Sequence, residues 1–229
     1  MIILGEGGFA REVAGILYDV HELFHSDIAP IVTMHSDSAL QSALYSATNG
    51  YNNKTICYIG VGDPKLKERW ALELAANSFY CPPLIASTAR IRDYNRSTKI
   101  GDGSIICDGT VITTNVTIGK FVTLNLNCTV GHDSVIGDFT TIAPGTNISG
   151  NVKIGRRLDI GSNVVIIPGV ELPDGGIIGA GSVVTKTPTF DFYVIDAETR
   201  QQVHPFKEVE SYVMVGNPAK VIKVNGQSV

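Results

Sequence analysis

From Ile100 to Val184 every sixth residue is Ile, Leu or Val, over fifteen sites: Ile100, Ile106, Ile112, Ile118, Leu124, Val130, Ile136, Ile142, Ile148, Ile154, Ile160, Ile166, Leu172, Ile178 and Val184. If each site were aliphatic with a chance of roughly 1 in 3, such a run would arise about once in 10^7 registers, so the pattern is a structural repeat. A period of six residues matches neither an amphipathic helix nor a half-buried strand. It fits a coil of three short parallel strands, each contributing one inward aliphatic, which is a triangular parallel β-helix. With 18 residues per coil, the run makes nearly five coils.

Other positions of the repeat carry their own signatures. Four residues after each aliphatic come Ser104, Thr110, Val116, Val122, Cys128, Ser134, Thr140, Thr146, Val152, Leu158, Val164, Val170, Gly176 and Ser182, mostly small or β-branched, as a tight inward corner requires. Glycine often follows the aliphatic directly (Gly101, Gly119, Gly131, Gly137, Gly155, Gly161, Gly179), where a bend with little side-chain bulk is expected. Ile85 and Ile91 keep the six-residue step, but Ile100 lies nine further on, so Asp93 to Thr98 should bulge outward ahead of the uninterrupted coils.

The pattern before Cys81-Pro82-Pro83 is different. Ile2-Ile3-Leu4 reads as a buried strand, followed by Gly5-Glu6-Gly7-Gly8-Phe9-Ala10-Arg11-Glu12 turning into a helix through about Asp19. A second strand is expected around Ile28 to Val32, and a stronger one at Ile56-Cys57-Tyr58-Ile59-Gly60-Val61-Gly62. Pro64 to Asn77 reads as an amphipathic helix with Pro64 in its first turn, and residues 33–53 as loop with a short helix. Strands alternating with helices imply a small parallel sheet. The expected organisation is an α/β unit over 1–84, a β-helix over 85–186, and an insertion with a carboxy-terminal tail over 187–229. Within the last, residues 187–212 suggest a β-hairpin arm or an ordered excursion before Val213-Met214-Val215-Gly216-Asn217-Pro218-Ala219-Lys220-Val221-Ile222.

Composition narrows the function classes. A net charge of −4 offers no basic surface for nucleic acid or an anionic membrane. No apolar run approaches the ~18 residues of a membrane span, and the first residues lack the basic and apolar regions of a signal peptide. Cys57, Cys81, Cys107 and Cys128 show no C-x-x-C spacing, and Cys128 falls at a small-residue position of the repeat. A cytoplasmic protein with free thiols and no metal is the expectation.

The β-helix contains one histidine, in Val130-Gly131-His132-Asp133. At a turn position His132 points outward, and an unperturbed imidazole near pKa 6.5 suits a base at neutral pH. Asp133 can orient the ring and increase its basicity. Taken alone, a turn histidine is ordinarily a solvated surface residue. Gly5-Glu6-Gly7-Gly8-Phe9-Ala10 fits a loose G-x-G-x-x-A dinucleotide fingerprint, but about 80 residues leave no room for a full dinucleotide fold.

The hexapeptide repeat, the His-Asp in its middle coils, the closing Val-Gly-Asn-Pro-Ala-Lys and the Gly-rich α/β start together resemble the left-handed β-helix acyltransferases. More narrowly, they resemble the sialic acid O-acetyltransferase type, which includes N-acetyltransferases of nucleotide-linked 4-amino-4,6-dideoxy sugars. The resemblance covers almost the whole chain apart from 187–212. It implies a Rossmann-like amino-terminal domain, acetyl-CoA as acyl donor with no metal, and a homotrimer with the cofactor between adjacent β-helices. By the same resemblance His132 is the general base, Asp133 its acidic neighbour, Asn125 a contact to the amino sugar, and Gly150, one coil above the base, the amide facing the thioester oxygen. Ser162 and Ala180 fall where the family's backbone holds the pantetheine arm, and Gly216, Pro218 and Lys220 near its outer end. Gly7 and Gly8, with Gly62 and Asp63 after the third strand, fall where the family binds the nucleotide-sugar. The chain departs from the pattern at Phe9, where many members have histidine, in lacking an Asp-Asp pair after the second strand, and at Thr141, a second histidine in some. O-acetylation of a sugar hydroxyl and a non-catalytic sugar-binding module remain as alternatives. A zinc enzyme of the γ-carbonic anhydrase type would need three imidazoles per metal, which a single repeat histidine does not supply.

Overall fold

The computed structural model describes residues 2–5, 7–23, 32–34, 56–190, 194–195, 202–203 and 209–228. Residues 84–184 form a left-handed parallel β-helix of three flat faces. The first face carries β4 (Leu84–Ile85), β7 (Ile105–Ile106), β10 (Thr123–Leu124), β13 (Thr141–Ile142), β16 (Asp159–Ile160) and β19 (Gly176–Ile178). The second carries β5 (Arg90–Ile91), β8 (Val111–Ile112), β11 (Thr129–Val130), β14 (Asn147–Ile148), β17 (Val165–Ile166) and β20 (Val183–Val184). The third carries β6 (Lys99–Ile100), β9 (Thr117–Ile118), β12 (Val135–Ile136), β15 (Lys153–Ile154) and β18 (Glu171–Leu172). Every vertical pairing advances by 18 residues where the repeat is unbroken, as in Leu124↔Ile142 and Val130↔Ile148. Ile85 and Ile91 join this stack, which is therefore a coil longer than the uninterrupted ladder.

The second residue of each strand points inward. All ladder residues from Ile106 to Val184 are buried, and only Ile100, at the open start, is half-buried. Burying one such side chain stabilises the fold by about 1.5–3 kcal/mol. The small corner residues are buried too, and their hydroxyls join one coil to the next. Ser134 Oγ donates to the Ser149 carbonyl (3.0 Å) and accepts from Val152 N–H (3.2 Å); Thr140 and Thr146 repeat the motif. The bend falls elsewhere than expected. The residues with positive φ stand three after each aliphatic (among them Asn115, Phe121, Asp133, Phe139 and Asn151), whereas the glycines directly after the aliphatics mark close approach. A Cβ on Gly131 would lie 2.4 Å from Gly150 N.

The amino-terminal strands β1 (Ile2–Leu4), β2 (Val32–Met34) and β3 (Cys57–Ile59) form a parallel sheet in the order β2-β1-β3, with helices α1 (Gly8–Leu23) and α2 (Pro64–Ala76). The second strand lies later than the Ile28–Val32 expected from hydropathy, α1 runs beyond Asp19, and β3 is shorter than 56–62. Most of the 33–53 loop expectation lies outside the described residues. Asp63 caps α2, its Oδ1 accepting from Leu66 N–H at 2.7 Å.

This unit docks on the lower part of the first face. Ile3, Ala10, Val13, Ile16 and Leu17 pack against Leu84, Ala86, Ile105, Cys107 and the half-buried Leu126. Trp70, Ala71 and Leu74 of α2 pack toward Phe139 and Phe121, whose rings stack at 5.9 Å. Arg156 and Arg157 reach Glu68 of α2 at 3.3 and 3.4 Å. Hence Ile105, Thr123 and Thr141, which point outward, are nonetheless buried.

Lys67 lies on the buried stripe of α2 with Pro64, Trp70, Ala71 and Leu74. Its Nζ donates to Thr141 Oγ1 (2.7 Å), Thr123 Oγ1 (3.0 Å) and the Thr140 carbonyl (3.5 Å). Thr141 Oγ1 in turn donates to the Gly62 carbonyl at 2.6 Å. With three neutral acceptors, burial drives this ammonium from 10.5 down to about 7, against the opposing pull of Asp159 and Asp63.

At the far end β23 (Tyr212–Gly216) pairs parallel with β19, and β24 (Ala219–Val224) and β25 (Gln227–Ser228) continue antiparallel. The chain thus returns to the first face, a placement the sequence reading did not specify. Within the excursion, β21 (Val194–Ile195) and β22 (Gln202–Val203) pair antiparallel, in keeping with a hairpin arm. Among the described residues no helix is long and apolar enough to cross a membrane.

Lys67 makes stability depend on pH in a defined direction. Between about pH 7 and 10.5 the unfolded chain keeps the proton that the folded chain has released, so stability rises with pH across that window. Thermal unfolding at pH 7 and pH 9 should show this rise in the parent and a weaker one in Lys67→Met. Equal pH dependence in the two proteins would contradict it.

Candidate active site

The candidate residues fall on two edges of the prism. His132, Asp133 and Gly150 lie on the second edge, between the second and third faces. Asn125, Ser162 and Ala180 lie on the first edge, between the first and second faces, and Gly216 N–H reaches that edge by donating to Ser182 Oγ at 3.2 Å. The edges are separated by one six-residue face, about 20 Å at most for extended chain.

On the second edge the sequence-derived trio does come together. His132 Nδ1 stands 2.7 Å from Asp133 Oδ2, and the two side chains are 58% and 43% exposed. We take Nδ1 as the protonated nitrogen, since it faces a carboxylate. Asp133 is further held by Asn115, whose Nδ2 donates to Asp133 Oδ1 at 2.6 Å. The hydrogen bond from Asn115, followed by that from His132, lowers the Asp133 carboxyl below its ordinary value. It therefore stays ionised beside the ring.

The other ring nitrogen faces the coil above. A Cβ added to Gly150 would lie 2.6 Å from His132 Nε2 and 2.7 Å from Cε1, so the imidazole occupies the space a side chain at 150 would take. Among the described residues the Gly150 N–H has no hydrogen-bond acceptor. An unprotonated Nε2 and an unpaired backbone donor thus stand side by side. One can accept a proton, and the other can bind an oxyanion.

The first-edge residues are arranged differently. Asn125 is half-buried and its Oδ1 accepts from Leu126 N–H at 2.7 Å. Ser162 is half-buried and holds Gly181 N–H with its carbonyl, while Ala180, Pro218 and Lys220 are exposed. Gly7 and Gly8 open α1 on the exposed surface, and α1 packs in the cluster that includes Leu126, next to Asn125. Gly62 and Asp63 are exposed at the carboxyl end of β3, but both carry structural bonds, Gly62 to Thr141 and Asp63 to the first turn of α2.

Two neighbours escaped the sequence reading. Lys67 carries a visible signal, a charge on the apolar stripe of α2. Asn115 carries another, an amide 18 residues before Asp133. Cys128 is buried, donates to the Ala143 carbonyl (3.3 Å), and burial raises its thiol to about 11, which suits a core filler and not a nucleophile. A cleft of about 630 Å³ between α2 and the upper first face includes Asp63, Asp159, Asp174 and Glu210 but neither His132 nor Gly150.

No known family profile matches the sequence, and no curated protein matches it. Solved structures do match it along almost its whole length. PerB from Caulobacter crescentus, in complex with CoA and GDP-perosamine, is 22% identical over 96% of this chain and 95% of its own, with a TM-score of 0.75. WeeI from Acinetobacter baumannii AYE is 23% identical, covering 96% and 98%, with a TM-score of 0.75. The acetyltransferase domain of PglB from Neisseria gonorrhoeae FA1090, in complex with acetyl coenzyme A, is 22% identical, covering 96% and 97%, with a TM-score of 0.74. At these identities the likeness establishes a shared fold, the left-handed β-helix.

The fit of ring to glycine predicts the effect of one methyl group. Gly150→Ala should fold with a near-parental melting temperature, because φ at 150 is not positive. It should also displace the His132 ring, read as a change in its imidazole ¹⁵N shifts. Unchanged ring shifts in the folded variant would refute the close approach.

Proposed function

We propose that this chain is an acetyl-CoA-dependent N-acetyltransferase acting on the amino group of a nucleotide-linked 4-amino-4,6-dideoxy sugar, with direct transfer in a ternary complex. The observation that carries this reading is the His132 ring, with Nδ1 committed to Asp133 and Nε2 directed at Gly150. The solved structures agree with it, since PerB is described with CoA and GDP-perosamine and the PglB domain with acetyl coenzyme A.

In this mechanism the sugar amine attacks the thioester carbon while His132 Nε2 removes its proton. Gly150 N–H donates to the oxyanion of the tetrahedral intermediate. Collapse breaks the C–S bond, and the imidazolium returns the proton to the departing CoA sulfur. Asp133 keeps the ring in the right tautomer and stabilises its charged form. Holding amine, thioester and base in line supplies most of the remaining acceleration.

The two-edge arrangement supports a homotrimer with its sites between chains. The second edge of one chain brings base and oxyanion donor, and the first edge of the next brings Asn125 to the amino sugar and Ser162 and Ala180 to the pantetheine arm. Gly216, Pro218 and Lys220 lie toward the outer end of CoA. Residues 1–84 then form a Rossmann-like nucleotide-sugar domain using Gly7, Gly8, Gly62 and Asp63, residues 85–186 the acyltransferase domain, and 187–229 an insertion and tail. A cytoplasmic location accords with acetyl-CoA as the donor.

The test is release of CoA thiol from acetyl-CoA with amino-sugar or hydroxyl acceptors. Turnover should require the nucleotide-linked amine, and His132→Ala should lower kcat/KM by about 10^3-fold. Turnover with hydroxyl acceptors alone would replace this reading with O-acetylation. Full activity in His132→Ala would remove His132 as base, and no turnover with any acceptor would favour a binding module.

A further inference from the structure

We propose that Asn115 is a positioning residue for the His132–Asp133 pair, and that Asp93, in the loop that interrupts the six-residue ladder, holds the turn that presents it. The inference rests on His132 being the base, as proposed above.

An exposed ion pair is a poor way to fix a ring. His132 and Asp133 are 58% and 43% exposed, and such pairs gain little against water and side-chain entropy. A carboxylate tied only to the imidazole would rotate out with it. Here the second oxygen is also bound, by Asn115 Nδ2 at 2.6 Å. The backbone repeats the tie, Asp133 N–H donating to the Thr114 carbonyl at 3.2 Å. Asn115 therefore fixes the carboxylate plane, leaving Oδ2 for His132 Nδ1–H. It does not touch the reacting atoms.

The turn carrying Asn115 is itself gripped from the coil below. Asp93 Oδ1 accepts from Thr114 Oγ1 at 3.0 Å, and the same carboxylate is organised by Ser97 Oγ and Thr98 N–H. Thr98 Oγ1 donates to the Thr113 carbonyl (3.4 Å) and accepts from Val116 N–H (3.3 Å). The loop after β5 thus brackets residues 113–116 through Thr113, Thr114 and Val116. A regular six-residue step would be three residues too short to supply Asp93, Ser97 and Thr98 together. The bonds run up one edge, from Asp93 through Thr114 and Asn115 to Asp133 and then His132. The charged side chains in this line are Asp93 and Asp133.

Asn115→Leu and Asn115→Asp test the assignment through ring NMR and steady-state kinetics. Leu removes the donor and frees Asp133, so the Nδ1–H tautomer of the His132 ring should lose population, read from its ¹⁵N shifts. Asp also lacks the donor and repels the Asp133 carboxylate, so the same tautomer should lose population there too. A merely structural role would leave the tautomer unchanged in both folded variants, and that result overturns the proposal. If the Leu variant fails to fold, the near-isosteric Asp variant decides by its tautomer population. Asp93→Ala should reproduce the Leu direction at smaller size. If the enzyme reading is right, kcat in Asn115→Leu should fall about 3- to 10-fold with KM for acetyl-CoA unchanged. Loss of the Nδ1–H tautomer in a protein that transfers no acetyl group would support the positioning role while removing the catalytic reading.

Discussion

Successive coils of this prism lie one strand spacing apart, about 4.8 Å, and keep register residue for residue. That closeness governs the rest of the structure. It excludes a Cβ at Gly101, Gly119, Gly131 and Gly137, where neighbouring backbone already fills the space. It lets a buried hydroxyl such as Ser134 make two bonds to the same corner of the coil above, to the Ser149 carbonyl and Val152 N–H. It also seats the imidazole of His132 in the slot that Gly150 leaves empty. The site is thus a local use of the spacing that makes the fold.

The second constraint is the junction between the α/β unit and the first face. Most of it is apolar, but at its centre Lys67 joins α2 to Thr123 and Thr141, and Thr141 joins the Gly62 loop. A buried cation held only by neutral oxygens costs stability; removing a hydroxyl partner would cost more. The arrangement fixes where the loop after β3 sits relative to the coils. It also accounts for threonine at 141, where some members of the resembled family have histidine.

How much could be read in advance depended on how local the cause was. The β-helix and its inward residues follow from a single arithmetic step, and so does the meeting of His132 with Gly150. The 18-residue step taken downward from Asp133 reaches Asn115, so that partner was equally within reach. The positive-φ positions were harder, because Phe121, Phe139 and Arg157 occupy them beside Asn and Gly, hiding the period. Lys67 depends on docking between two units, which no local pattern encodes beyond a charge on an apolar stripe. The break at residues 93–98 was legible as a bulge. Its hydrogen bonds to residues 113–116 were not, because they join polar side chains whose partners only the folded coil brings near.

His132 and Gly150 stand on one edge of the prism, while Asn125 and the first-edge backbone stand on another, a whole face away. The proposed reaction draws on both edges, which is why it is assigned to a site shared between chains. The most direct measurement is acetyl transfer by mixed oligomers, made by co-refolding His132→Ala with Asn125→Ala, each near-inactive alone. Sites built from edges of different chains regain an intact pair in about one quarter of random combinations, so activity should return toward that fraction of the parent. Mixed oligomers no more active than the separate variants would contradict the shared site.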